Sequence, residues 1–180
     1  MNIQTSIAVN FILFQIGWFA CVLMAARDNS FIGVVIGLMI VVVHLILNKF
    51  RINNLVLMIL VTLLGFSWDS VLTHFNVLVF NTGIMLPDLA PSWILVMWIL
   101  FSTTLNISFR WLYGRYTLAM LLGAIFGPIA YQAGSALGAV EIPDDLMANG
   151  LMALGWSLLM PLFIKLAELT EGIEAERSPS

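Results

Sequence analysis

The chain alternates long apolar stretches with short polar interruptions, and this pattern divides it into six runs of helical length. The runs cover 6–25, 31–48, 54–74, 93–113, 116–140 and 146–166, each close to the roughly 20 residues a helix needs to cross a bilayer core. Arg27-Asp28-Asn29 closes the first run and Asn48-Lys49-Phe50-Arg51 the second. The first run has neither a basic leader nor a small-x-small cleavage site before Arg27, so it reads as an uncleaved span. From Phe75 to Ser92, Asn76, Asn81, Gly83, Pro87 and Pro91 break helical continuity, and the segment reads as a loop lying at the interface. The expected fold is an all-α membrane bundle of about six transmembrane helices in a single domain, 1–167, followed by a charged tail, 168–180.

Composition sharpens this picture. With 61% hydrophobic and 9% charged residues and a mean hydropathy of +1.03, a soluble domain is excluded. Net charge is −3 and no basic stripe is present, so no nucleic-acid partner is expected; membrane lipid is. Cys21 is the only cysteine, which excludes an intrachain disulfide. In a six-span arrangement Lys49, Arg51, Arg110, Arg115, Lys165 and Arg177 fall on one side and Arg27 alone on the other. The positive-inside bias then places both termini in the cytoplasm, with Trp93 at one interface and Trp111, Tyr113 and Tyr116 at the other.

Within the fifth run, Gly123, Gly127, Ala130, Gly134 and Gly138 recur every three or four residues and share one helix face. Such a face lets another helix approach closely, either inside the bundle or in a partner membrane protein. Gly33 and Gly37 repeat the spacing in the second run, and Pro128 predicts a kink in the fifth.

The sequence's main chemical exception is Gly65-Phe66-Ser67-Trp68-Asp69-Ser70, where a carboxylate sits inside a lipid-soluble run. Such a group costs about 2.5–3.5 kcal/mol on insertion scales, so it faces protein or water and marks a functional hypothesis. Counting depth along each span puts Asp69, Tyr131 and Gln132 in one half of the membrane, together with Trp18, Trp68, Trp98 and Trp156. On one reading these residues line an outward-facing pocket for a small amphipathic molecule, with aromatic walls and a single counter-charge. On the plainer reading Asp69 bonds to Gln132 or a serine hydroxyl, and the tryptophans face lipid.

Asn10, His44, Asn48, Asn106 and Ser108 form a second polar layer in the other half. His44 and His74 fall toward opposite faces, and with no His-Glu-x-x-His and no cysteine pair, neither a metal nor another cofactor is expected. There is no G-x-S-x-G and no P-loop, so the chain does not read as an enzyme.

Asn10-Phe11, Gln15-Ile16-Gly17-Trp18, Trp68-Asp69, Thr103-Thr104-Leu105-Asn106 with Trp111-Leu112, and Gly127-Pro128-Ile129-Ala130-Tyr131 together resemble a bacterial family of small integral membrane proteins. That family is a domain of unknown function (number two-eight-seven-eight), and the likeness covers nearly the whole chain. It implies an inner-membrane location in a Gram-negative bacterium and, through neighbouring genes for lipid-modifying methyltransferases, lipid-related work. It implies no catalytic residue. The expected function is non-catalytic binding or passage of a small amphipathic molecule near Asp69. The alternatives are an assembly partner in a membrane complex and a substrate-binding subunit of a small-molecule uptake transporter.

Overall fold

A computed structural model describes residues 3–47 and 52–177. Asn48, Lys49, Phe50 and Arg51, read as the close of the second run, lie outside the described residues. Six helices follow one another: α1 Ile3–Ala25, α2 Ser30–Leu47, α3 Ile52–His74, α4 Ser92–Leu105, α5 Tyr116–Ala136 and α6 Asp145–Arg177, with a short 3-10 turn at Arg110–Leu112. Among the described residues there is no strand, only an isolated antiparallel bridge between Val79 and Glu141. Five of the helices are long and apolar enough to cross a membrane. The fold is therefore the all-α membrane bundle that the hydropathy pattern implies.

The exception is α4, whose 14 residues extend about 21 Å, short of a hydrocarbon core of about 30 Å. The sequence pattern runs on to Tyr113, but the helix stops at Leu105. Ser102, Thr103 and Thr104 explain the early stop. Their hydroxyls donate to the carbonyls of Ile99, Leu100 and Phe101 at 2.6, 2.7 and 2.6 Å, competing with the helical ladder at three successive residues. α4 is packed among α1, α2 and α3, and most of its side chains are buried. The turn after it is anchored by the buried Leu112. Irregular backbone at membrane depth is tolerated where protein, not lipid, surrounds it.

Two other boundaries shift. α5 ends at Ala136 instead of running to Val140, because Gly138 adopts φ +86°. The amide of Gly138 reaches the carbonyl of Ser135, and that of Ala139 the carbonyl of Gly134, which is the paired bonding of a Schellman C-cap. Gly138 thus ends the helix and is not part of its packing face. α6 continues through Arg177, so most of the expected tail is helix. The Tyr116 hydroxyl donates to Glu168, Lys165 lies 3.6 Å from the same carboxylate, and Arg110 pairs with Glu171 at 3.1 Å. With Glu168 and Glu171 paired, the last helix continues past the hydrocarbon boundary, and Pro161 within it does not end it.

Tryptophans seated on glycines lock the bundle. The indole of Trp98 on α4 fills the place a Cβ would take on Gly65 of α3. Trp68 of α3 does the same at Gly155 of α6, and Trp156 of α6 at Gly127 of α5. Gly123 lies against the backbone carbonyl of Trp156, and Gly33 approaches Cα of Cys21 to within 2.9 Å of where its own Cβ would stand. Of the expected α5 face, Gly123 and Gly127 pack on α6, Gly134 faces Val140, and Ala130 is exposed.

Gly127→Ala drives a methyl into the Trp156 ring and is expected to cost about 1–3 kcal/mol. Gly150, in the same membrane but with no heavy atom within 4 Å of its would-be Cβ, serves as control: Gly150→Ala should leave stability unchanged or raise it by up to about 1 kcal/mol. Unfolding midpoints in detergent distinguish the two, and equal midpoints would contradict the interlock.

Candidate functional site

The site is built from the Trp98–Gly65 contact outward. Gly65 and Asp69 are one helical turn apart and share a face of α3. With the indole of Trp98 seated on Gly65, its N–H reaches one turn further and donates to Asp69 Oδ2 at 2.8 Å. The Tyr131 hydroxyl, from α5, donates to the other carboxylate oxygen, Oδ1. Asp69 is 1% exposed and is the one buried carboxylate among the described residues. Three helices therefore meet on a single side chain.

Aromatic rings surround it. Trp156 stacks on Trp98 with centroids 5.1 Å apart and planes at 20°, and Phe101 and Phe163 meet Trp98 edge-on at 5.8 and 5.7 Å. These offsets are the favourable geometries for ring pairs. Trp98 is thus buried inside the bundle and Trp156 half-buried against it, not splayed into lipid as the plainer reading has them.

Donors outnumber acceptors here. Only three buried side-chain N or O atoms among the described residues lack a hydrogen-bond partner, and two of them are Nε1 of Trp68 and Nε1 of Trp156. Trp156 Nε1 is directed toward the Tyr131 hydroxyl without completing a bond to it. Trp68 Nε1 lies against Gly155, the residue before Trp156. Since nearly all buried polar groups in proteins are satisfied, a Trp68 donor without an acceptor and a Trp156 donor that falls short of its nearest one call for an explanation.

Of the residues expected at the site, Asp69, Tyr131, Trp68, Trp98 and Trp156 come together. Trp18 does not join them: it lies on α1, which packs on α2 and α4, and its ring meets Phe19 edge-on at 4.9 Å. Gln132, one residue past Tyr131, turns its amide to Asn149 Oδ1 on α6 at 3.3 Å. Counting residues along a span fixes depth but not azimuth, which is why Trp18 appeared to belong. Sequence reading missed Gly155, although a glycine immediately before a tryptophan in an apolar run is a visible sign of close ring packing.

Of the second polar layer, Asn10, His44, Asn106 and Ser108 make contacts between elements, and Asn48 lies outside the described residues. Asn10 Nδ2 donates to the carbonyl of Thr103 at 3.1 Å and lies 3.4 Å from His44 Nδ1, while Ser108 donates to Asn10 Oδ1 at 2.6 Å. Asn106 joins Asn54 at 3.2 Å and accepts from Tyr113 at 2.9 Å. Asn106 thus bonds between elements, whereas Ser102, Thr103 and Thr104 turn their hydroxyls onto their own helix. No group of three or more His, Cys, Asp or Glu that could hold a metal occurs among the described residues.

Fold and site together define a multi-pass, all-α membrane protein with a buried carboxylate held among indoles. Residues 7–162 match the family model described as protein of unknown function (DUF2878), and the chain belongs to that family. No curated protein and no solved structure matches the chain.

Asp69→Asn keeps an acceptor and an amide that can meet the Tyr131 oxygen, and is expected to cost about 1 kcal/mol. Asp69→Leu strands both Trp98 and Tyr131 donors and is expected to cost about 3 kcal/mol or more. Denaturation of both variants in detergent checks this; equal losses would mean the carboxylate's hydrogen bonds are not what holds the three helices.

Proposed function

We propose that this protein is a non-catalytic, multi-pass protein of the bacterial inner membrane that binds or passes a small amphipathic molecule at the Asp69 site. The observation carrying this reading is the pair of buried indole donors, Trp68 Nε1 and Trp156 Nε1, without a completed hydrogen bond where α3, α5 and α6 meet. Leaving each donor unsatisfied costs about 1–3 kcal/mol, so a molecule offering oxygen acceptors to both recovers about 2–6 kcal/mol. Its apolar part would lie among the rings, where area burial and stacking favour it.

Binding is favoured over catalysis because both oxygens of Asp69 are already engaged, by Trp98 and Tyr131. An assembly role through the α5 glycines has less support, since Gly123 and Gly127 are covered by Trp156 and Met160 of the same chain. Both termini are assigned to the cytoplasm on the clustering of basic residues, among them Arg110, Arg115 and Lys165, toward one end of the bundle.

Trp68→Phe and Trp156→Phe keep most of the ring and remove the N–H. Protein purified in mild detergent and analysed by native mass spectrometry should carry a small-molecule adduct that is reduced about tenfold or more in each variant, from the loss of about 1.4 kcal/mol or more. An adduct retained equally by both variants, or none on the unsubstituted protein, would count against the reading.

A further inference from the structure

Resting on the binding role above, we infer that the occupant of the Asp69 site is a bilayer-resident lipid with a small head bearing hydroxyl and ester groups, and that it enters sideways between α3 and α5. Two independent features of the fold point there.

The aqueous route is shut. The segment 75–91 folds back over the end of the bundle nearest Asp69, burying Val77, Leu78, Phe80 and Ala90. It is fastened on three sides. The amide of Ala90 donates to Ser70 Oγ, next to Asp69, at 3.2 Å. Thr82 donates to the carbonyl of Ala25 at the end of α1 at 3.1 Å. Val79 and Glu141 exchange backbone bonds of 2.9 and 2.8 Å, and Asn81 donates to the Glu141 carboxylate at 2.7 Å, which ties the lid to the α5–α6 turn. A water-soluble substrate would have to break this set before reaching the indoles.

The lateral route is closed by side chains alone. α5 packs along α6, and α3 packs along α4 and α6, but α3 and α5 have no comparable contact with each other. Tyr131 crosses that seam to reach Asp69. Ala130, next to Tyr131 on α5, is exposed at this seam. Pro128, three residues before Tyr131, removes a backbone donor from α5 and so makes the helix easier to bend at that point. The Tyr131–Asp69 hydrogen bond is thus a latch across a lipid-facing seam. The Trp68 and Trp156 donors suit ester or hydroxyl oxygens, and Asp69 Oδ1, released when Tyr131 swings aside, accepts from a hydroxyl.

Locking the lid tests the route. Val79 and Glu141 form a hydrogen-bonded antiparallel pair, whose Cα atoms stand about 5.5 Å apart, within disulfide reach. The double variant Val79→Cys/Glu141→Cys can therefore be oxidised shut, and native Cys21 is buried out of the way. The probe is a monoacylglycerol with a doxyl-labelled chain, added to the protein reconstituted in phosphatidylethanolamine–phosphatidylglycerol vesicles. Entry is read as the slow phase of tryptophan quenching that is lost in Trp68→Phe/Trp156→Phe.

The expected result is the same slow-phase rate with the lid oxidised or reduced, and a rate roughly tenfold higher in Tyr131→Phe, which opens the latch. Loss of the slow phase on oxidation alone would overturn lateral entry while leaving the binding role standing. An unchanged rate in Tyr131→Phe would overturn the latch. Absence of a slow phase in the unsubstituted protein would overturn the lipid occupant, while the adduct seen by native mass spectrometry decides the binding role separately.

Discussion

Everything specific in this molecule depends on keeping one carboxylate in an apolar interior. Asp69 costs about 2.5–3.5 kcal/mol to insert, and hydrogen bonds to a charged group return about 1.5–3 kcal/mol each. One donor barely offsets the cost; two exceed it. Trp98 and Tyr131 are those two, and because they come from α4 and α5 the same pair of bonds fixes where three helices stand. The remaining packing follows from this placement. Trp98 reaches Asp69 only because Gly65 leaves room for its ring, Trp156 stacks on Trp98, and Gly127 in turn makes room for Trp156.

The two halves of the bundle differ in how they treat polar groups. In the half that holds Asn10, the amide bridges α1, α2 and the carbonyl of Thr103, and Ser108 completes the set. That cluster is a joint. In the half that holds Asp69, the acceptors are taken and two donors remain over. A bundle built only for rigidity gains nothing from unpaired indole N–H groups; phenylalanine would pack as well at lower cost. This asymmetry is what favours the binding role proposed for the Asp69 end.

Hydropathy alone located all six helices, because lipid exposure writes itself into long apolar runs such as 31–48. It failed at α4, where Thr103 and Thr104 look apolar enough to continue a span but bond back to their own helix, and at α6, where paired glutamates carry a helix beyond the hydrocarbon. Asp69 was legible as an exception, and Tyr131, Trp68, Trp98 and Trp156 as its neighbours in depth. Trp18 was misplaced because depth carries no information about azimuth. The lid over 75–91 was legible as a loop, but its seal was not: the contacts from Ala90 to Ser70 and from Val79 to Glu141 join residues distant in sequence.

The central claim concerns the indole N–H groups themselves, and they can be observed directly. In protein labelled with 15N at the tryptophan indoles and assigned by single Trp→Phe replacements, the N–H resonances are compared before and after co-purified lipid is stripped away. The account predicts that Trp98 stays shifted by its bond to Asp69 in both samples, while Trp68 and Trp156 move toward the position of a non-hydrogen-bonded indole once lipid is removed. Trp68 and Trp156 signals that do not respond to lipid would contradict it.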